Sequence, residues 1–90
     1  MRFEWHRSKA SGNLKKHGVS FDEAATVFGD PLALTFEDPD HSEEVDRFLT
    51  FGISGNGKYI IVSHTPRGEN TRIIGARPMT RSERDIYEQG

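Results

Sequence analysis

Four arginines lie close together near the end of the chain, within the tract TRIIGARPMTRSERDIYE at positions 71–88. A guanidinium group can bind two phosphate oxygens at once, so such a cluster is typical of a site for a phosphate-bearing ligand. The alternative is that these arginines are ordinary solubilising charges on an edge strand and an exposed helix. The four residues are Arg72, Arg77, Arg81 and Arg84.

The side chains that could transfer protons near these arginines need no metal ion. The chain has no cysteine, and its four histidines share no metal-ligand spacing. The run GISGNG at 52–57 is typical of a hairpin rather than a phosphate loop. We therefore expect neither a metal site nor a cofactor. RNA cleavage fits these residue types, because the substrate's own 2′-hydroxyl attacks and the protein supplies a base, an acid and cations.

Each candidate for acid or base also has a structural interpretation. His64 follows an apolar strand and could be a hydrogen-bonded structural histidine. Tyr87 could pack the last helix onto the core, and His17 could complement the dipole of its helix. The sequence therefore leaves open a second class of protein, a nucleic-acid-binding or co-repressor module without catalysis.

Charge is segregated along the chain although the net charge is only −2. Positions 1–19 sum to +4, positions 20–46 contain nine acids and no base, and positions 58–84 sum to +4. If the two basic segments meet in space, they form one positive face on a protein that is acidic elsewhere.

Hydrophobic spacing and caps predict one α+β domain over positions 1–90, with helices against one face of a twisted, mainly antiparallel sheet of four to five strands. We expect two N-terminal helices: one at 9–17, with Ser8 as possible cap and Gly18 as its end, and one that begins with a capping box of Ser20 and Glu23 and is ended by Gly29. Strands are expected at 3–5, 32–36, 47–54, 58–65 and 71–77, with 58–65 central in the sheet. A last helix begins with a capping box of Thr80 and Glu83 and runs to Glu88. No signal peptide or membrane helix is indicated, so a cytoplasmic location is expected.

Strand alternation limits how the last strand can use its arginines. Arg72 shares a face with Ile74 and Ala76, whereas Arg77 shares the other face with Ile73 and Gly75. Both arginines can face one side only if a β-bulge breaks the register, and Gly75 is a residue that could supply it.

Three segments in order along the chain resemble the BrnT family of bacterial type II toxins. They are FEWHRSKASGNLKKHGVSFDEAATVFGDPLAL (3–34), HSEEVDRF (41–48) and RIIGARPMTRSERDIYE (72–88). The resemblance implies a RelE-like fold and a toxin that cleaves RNA without a metal and inhibits translation and growth. Two positions depart from the family's pattern: Gly75 stands where serine is usual, and Val45-Asp46 stand where two glutamates are common. The first departure leaves open a degenerate toxin that retains only its binding to the antitoxin.

The resemblance also implies a partner, a cognate BrnA antitoxin of the ribbon-helix-helix class. That protein would neutralise the toxin and, with it, repress the shared operon, so operator DNA would be bound only through the complex. A homodimer and a heterotetramer both remain possible assemblies.

The resemblance does not assign the catalytic groups, and we hypothesise their roles. Arg72 and Arg77 would stabilise the charge of the transition state, with His64 or Tyr87 as general acid or base. Five further residues would hold the RNA backbone: Lys15, Lys16, His17, Arg67 and Arg81.

Overall fold

The computed structural model describes residues 1–40 and 46–90, so part of the acidic stretch at positions 20–46 lies outside the described residues. At its centre is a five-stranded sheet in the order β1-β5-β4-β3-β2. Its strands are β1 (Arg2–Glu4), β2 (Leu34–Glu37), β3 (Phe48–Ile53), β4 (Tyr59–Arg67) and β5 (Asn70–Pro78). β1 pairs in parallel with β5, and the other pairs are antiparallel. The mainly antiparallel sheet and the central position of β4 are confirmed.

Three helices complete the fold: α1 (Arg7–His17), α2 (Phe21–Thr26) and α3 (Arg81–Gln89), with a 3₁₀ turn at Val27–Gly29 after α2. Gly18 ends α1 in the left-handed conformation, with φ of 71°. α1 begins before the expected Ser8, because His6 is the extended residue at its N-cap. None of the helices in residues 1–40 and 46–90 has the length and apolarity to cross a bilayer.

Side-chain caps begin the other two helices. The Ser20 hydroxyl accepts from the backbone N–H of Glu23, but the Glu23 carboxylate accepts from the Ser54 hydroxyl instead of closing a capping box. Thr80 and Glu83 form the complete box that the sequence predicts.

The helices lie on both faces of the sheet, so the expectation of a single covered face was wrong. α1 and α2 cover the first face, where Phe21 and Val27 pack with Ile60 and Val62 of β4. α3 covers part of the second face, where Tyr87 packs with Phe51 and Ile61. The reason is that β4 is apolar on both sides, and each apolar side has to be removed from water.

A β-bulge interrupts β5 beside Gly75. Ser63 pairs with Gly75 and His64 pairs with Ile73, so Ile74 falls between the two pairs as an extra residue. Ile73 and Ala76 are therefore both buried against the first face, at 1% and 4% exposure. Their neighbours Arg72 and Arg77 both point to the second face, which is the arrangement that the arginine spacing allows only with a bulge.

Asn13 of α1 completes the edge of β5 beyond its short pairing with β1. Its amide nitrogen donates to the carbonyls of Val19 and Ala76, at 2.9 and 2.8 Å, and its amide oxygen accepts from the N–H of Ala76 at 3.1 Å. One side chain thus replaces the hydrogen bonds of a neighbouring strand and fixes α1 against the sheet.

We predict that Asn13→Ala lowers the free energy of unfolding by about 1–3 kcal/mol, because it leaves the backbone groups of Ala76 without partners in a half-buried edge. Urea denaturation followed by circular dichroism measures this. Ser11→Ala, at an exposed position of the same helix, is the matched control and should change stability by less than about 0.5 kcal/mol. Equal stability of the two variants would show that Asn13 does not secure this edge.

Candidate functional site

Most of the second face of the sheet is left open by α3, and two adjoining cavities lie there. Residues 72–74 of β5 line the larger, of 370 Å³, and residues 75–77 line the smaller, of 160 Å³. The larger cavity includes five basic side chains and one acidic one: His6, Lys9, Arg47, Arg67, Arg72 and Asp46. The smaller cavity includes residues of both α1 and the sheet: Asn13, His17, Leu49, Ser63, Gly75 and Arg77.

Arg77 is held in the smaller cavity by a carboxylate of α3. Its two terminal nitrogens donate to the two carboxylate oxygens of Glu83, at 2.7 and 2.8 Å. Glu83 also accepts from the Thr80 N–H at 2.8 Å, so the capping box fixes the carboxylate that fixes the arginine. The hydrogen bond from Arg77 lowers the pKa of Glu83 to about 2, and the same bond raises the pKa of Arg77. Both groups are therefore charged across the physiological range.

Arg72 is held in the larger cavity by a different carboxylate. Its Nε and a terminal nitrogen donate to one oxygen of Glu4, at 2.9 and 2.6 Å, and the other terminal nitrogen lies 3.1 Å from Nε2 of His6. A hydrogen bond from Asn70, followed by that from Arg72, lowers the pKa of Glu4. Arg72 is thus drawn toward β1 while Arg77 is drawn toward α3, and the two guanidinium groups diverge.

His64 lies on the first face of the sheet, away from both arginines. It is 8% exposed, its Nε2 is 2.7 Å from the Thr50 hydroxyl, and its ring contacts the rings of Phe28 and Phe48. Burial lowers the pKa of His64 to about 4, so the ring is neutral at physiological pH. These surroundings favour the structural interpretation of His64 over proton transfer to a ligand of the open face.

Tyr87 is also engaged within the fold. Its hydroxyl donates to the carboxylate of Asp30 at 2.5 Å, and that carboxylate also accepts from the N–H groups of Leu32 and Ile53. The bond to Asp30 raises the pKa of Tyr87 to about 12. The tyrosine fastens α3 to the end of the sheet, as the packing interpretation expects.

The residues hypothesised to hold RNA are divided among four places. His17 lies half-buried in the smaller cavity, and Arg67 lines the larger one. Lys15 and Lys16 are exposed on the last turn of α1. Arg81 is exposed on the first turn of α3, beside Arg84 in a separate shallow depression.

A family model described as "Ribonuclease toxin, BrnT, of type II toxin-antitoxin system" matches residues 5–83. The chain belongs to the BrnT family. Its fold is similar to that of the Brucella abortus ribonuclease toxin BrnT, solved as a crystal structure at 1.1 Å, with a TM-score of 0.71 and 24% identity over 90% of this chain and 99% of that one. A comparison with curated proteins gave no match. The predicted family and fold class are confirmed.

Gly75 lines the smaller cavity, and the structure has room there for a larger residue such as serine. A Cβ atom there would meet only the Asn13 amide oxygen, at 3.7 Å, which is an ordinary contact. Serine at this position would place its hydroxyl near His17 and Arg77, whereas glycine leaves that part of the cavity open.

Several residues of this BrnT site were not singled out from the sequence. The sequence did contain a signal for Arg47. It is the first basic residue after nine acids, and its spacing of two and four residues from Leu49 and Phe51 predicts that it lies on the same face of the sheet as they do, the second face. Lys9 and His6 belong to the basic N-terminal segment but have no motif of their own. Nothing in the sequence connects Asn13 or Ser63 with β5. Within residues 1–40 and 46–90, no three histidine or carboxylate side chains are grouped so that they could hold a metal ion.

We predict that His64 makes the stability of the protein fall with pH between about 6.5 and 4. The folded state keeps the ring neutral down to about pH 4, whereas the unfolded chain takes up the proton near the ordinary value of 6.5. The stabilisation is therefore complete above pH 6.5 and is lost as pH falls, by about 3 kcal/mol in all. Urea denaturation at pH 7, 6, 5 and 4.5 measures it.

His64→Gln is the matched variant, because glutamine can keep a hydrogen bond to Thr50 without titrating. Its stability should depend less on pH above 4.5, the range in which the carboxylates contribute little. Parallel pH curves for the two proteins would exclude His64 as the cause.

Proposed function

We propose that this chain is a metal-independent endoribonuclease that cleaves RNA in the smaller cavity. The observation that carries the proposal is the bulge at Ile74, which brings Arg72 and Arg77 onto one open face with His17. BrnT membership supplies the class of reaction, a ribonuclease toxin of a type II system. The cavities supply the cations and the histidine that such a reaction needs.

In the proposed reaction, the 2′-hydroxyl of the substrate loses its proton and attacks the adjacent phosphorus. The bond to the 5′-oxygen breaks, that oxygen takes up a proton, and the products are a 2′,3′-cyclic phosphate and a free 5′-hydroxyl. Arg77 stabilises the charge on the non-bridging oxygens. Its carboxylate partner occupies two of the five N–H donors of the guanidinium, so donors remain for the phosphate.

His17 carries the proton transfer in this proposal. It is the histidine that shares a cavity with Arg77. His64 and Tyr87 then support the site indirectly, through Thr50 on the first face and through Asp30 at the end of the sheet. Lys15 and Lys16, beside His17 on the same helical turn, and Arg81 at the start of α3 are proposed contacts to the RNA backbone.

Purified protein incubated with RNA in EDTA should give fragments that end in 2′,3′-cyclic phosphate. Arg77→Ala and His17→Ala should each slow cleavage about a hundredfold or more, because each removes a group acting on the transition state. Lys58→Ala, an exposed cation outside both cavities, is the control and should cleave at the wild-type rate. Circular dichroism checks that Arg77→Ala remains folded after losing its ion pair with Glu83.

Cleavage that EDTA abolishes and a divalent cation restores would contradict the metal-free mechanism. Wild-type rates for Arg77→Ala or His17→Ala would contradict their roles.

A second candidate is a toxin that binds RNA and its antitoxin but has lost catalysis. The observation that favours it is Gly75 in the smaller cavity, where the usual serine hydroxyl is missing. The same assay distinguishes the two candidates. A wild-type protein that only shifts RNA in a salt-sensitive way, together with a Gly75→Ser variant that cleaves it, would establish the second.

We further propose that a BrnA-like ribbon-helix-helix antitoxin neutralises the toxin by covering the open face, and that operator DNA is bound only through this complex in the cytoplasm. The type II family implies an antitoxin. Occlusion suits this toxin because Glu4 and Glu83 already hold Arg72 and Arg77 in place. The antitoxin can therefore cover these arginines without a change in the conformation of the toxin.

The occlusion proposal predicts that Arg72 and Arg77 lose solvent exposure when the antitoxin binds. Modification of arginines by phenylglyoxal, located by mass spectrometry, measures this for the free toxin and for the complex. Arg84 on α3 serves as an internal reference within the same sample. Equal labelling of Arg72 and Arg77 in both states would exclude occlusion. Sedimentation of the complex would decide between a heterodimer and a heterotetramer.

A further inference from the structure

The larger cavity on the second face has a strong positive charge that the proposed cleavage step does not use. Lys9, Arg47, Arg67 and Arg72 carry four full charges around it. Among the described residues, two negative charges oppose them: Asp46 in the lining of the cavity and Glu4, which pairs with Arg72. The excess is positive even after both carboxylates are counted, so the cavity attracts an anion.

These cations come from four separate parts of the chain. Lys9 is on α1, Arg47 precedes β3, Arg67 ends β4 and Arg72 lies on β5. Three regions that are distant in sequence, namely α1, the segment before β3 and the β4–β5 hairpin, therefore converge on one cavity of 370 Å³, which is large enough for a phosphate group and part of its nucleotide. The charges of a merely solubilising surface would be expected to spread apart, since like charges repel.

Arg47 adds a second observation. Its Nε is buried and has no hydrogen-bond partner among residues 1–40 and 46–90. A buried donor without an acceptor costs free energy, and a guanidinium donor pairs best with an anionic oxygen. An anion in the cavity would let the Arg47 side chain turn and satisfy this donor.

Geometry separates this cavity from the cleavage site. Arg72 and Arg77 lie on one strand with a bulge between them, so their Cα atoms are about 13 Å apart at about 3.3 Å per residue. Glu4 and Glu83 draw the two guanidinium groups further apart. One phosphate group therefore cannot contact both guanidinium groups. Two phosphates of one RNA strand can, if they are separated by up to about four nucleotides, at a rise of about 3.4 Å per nucleotide.

We propose that the larger cavity is a second phosphate-binding subsite, which holds a phosphate of the RNA a few nucleotides from the scissile bond. The enzyme therefore selects RNA long enough to reach from the smaller cavity to the larger one, and it cleaves very short substrates poorly. This inference rests on the proposed ribonuclease function. Arg47 and Arg67 contribute to binding of the long substrate, while Arg77 and His17 act at the bond that breaks.

The test compares two substrates in EDTA, a dinucleoside monophosphate with one phosphate and a single-stranded decamer. In Arg47→Ala/Arg67→Ala the ratio of kcat/KM for the decamer to that for the dinucleotide should fall at least about tenfold. Binding of an uncleavable 2′-deoxy decamer should weaken as well. The slope of log K against log salt concentration should become shallower by about 1.4, because each cation that neutralises a phosphate of a single strand adds about 0.7 to it.

Arg7→Ala/Lys58→Ala is the matched control, since it removes two exposed cations that line neither cavity. It should keep both the substrate ratio and the salt slope of the wild type. If Arg47→Ala/Arg67→Ala does not fold, Arg67→Ala alone should lower the slope by about 0.7, because Arg67 is exposed. An unchanged slope and ratio in the folded variants would overturn the subsite.

The two proposals can fail separately. A wild type that cleaves neither substrate contradicts the ribonuclease proposal, while binding of the deoxy decamer still reports on the subsite. Normal cleavage combined with an unchanged salt slope in the subsite variants contradicts the subsite alone.

Discussion

One extra residue in β5 determines which side chains share the open face of this sheet. Side chains alternate along a strand, so without the bulge at Ile74 either Arg72 or Arg77 would point into the first face, against α1 and α2. A guanidinium buried there without a partner would cost several kcal/mol. The bulge lets Ile73 and Ala76 both enter the core while both arginines remain on the other side. The same irregularity thus serves the core and the site.

Two carboxylates then decide where the arginines point. Glu4 draws Arg72 toward β1, and Glu83 draws Arg77 toward α3. Glu83 is itself held by the cap of α3, so the position of the Arg77 guanidinium depends on how a helix begins. An arginine already oriented before the ligand arrives loses little conformational freedom on binding, which is the physical basis of electrostatic preorganisation.

Local signals in the sequence were enough to predict most of the elements. Gly18 and the Thr80–Glu83 box marked helix ends, and the apolar run in β4 marked the central strand. The helix arrangement on two faces was missed, although β4 carried its signal in being apolar on both sides. Asn13 could not have been found, because its function depends on a contact with Ala76, 63 positions away. The bulge could be predicted only conditionally. The sequence shows that Arg72 and Arg77 would lie on opposite faces of a regular strand, but it does not show whether the fold breaks the register to bring both to one face.

The sequence predicted the basic character of the candidate site but only some of the residues that line it. The sequence indicated that basic segments far apart in the chain would meet, and the larger cavity contains Lys9 from the first and both Arg67 and Arg72 from the second. The residues that transfer protons were harder to choose. The role of His64, for example, depends on the face of the sheet on which its side chain lies, and it lies on the buried first face beside Thr50.

The openness of the second face has a thermodynamic explanation. α3 has nine residues and one buried side chain, Tyr87, so it covers only the end of the sheet near Phe51 and Ile61. Where it does not reach, the sheet presents Ser63 and Thr65 of β4, with Arg47 just before β3, and exposing these residues to water costs little. A longer apolar helix there would bury more surface and stabilise the fold, but it would close both cavities. A requirement for stability therefore does not explain the polar residues on that part of the sheet, whereas the proposed anionic ligand would explain them.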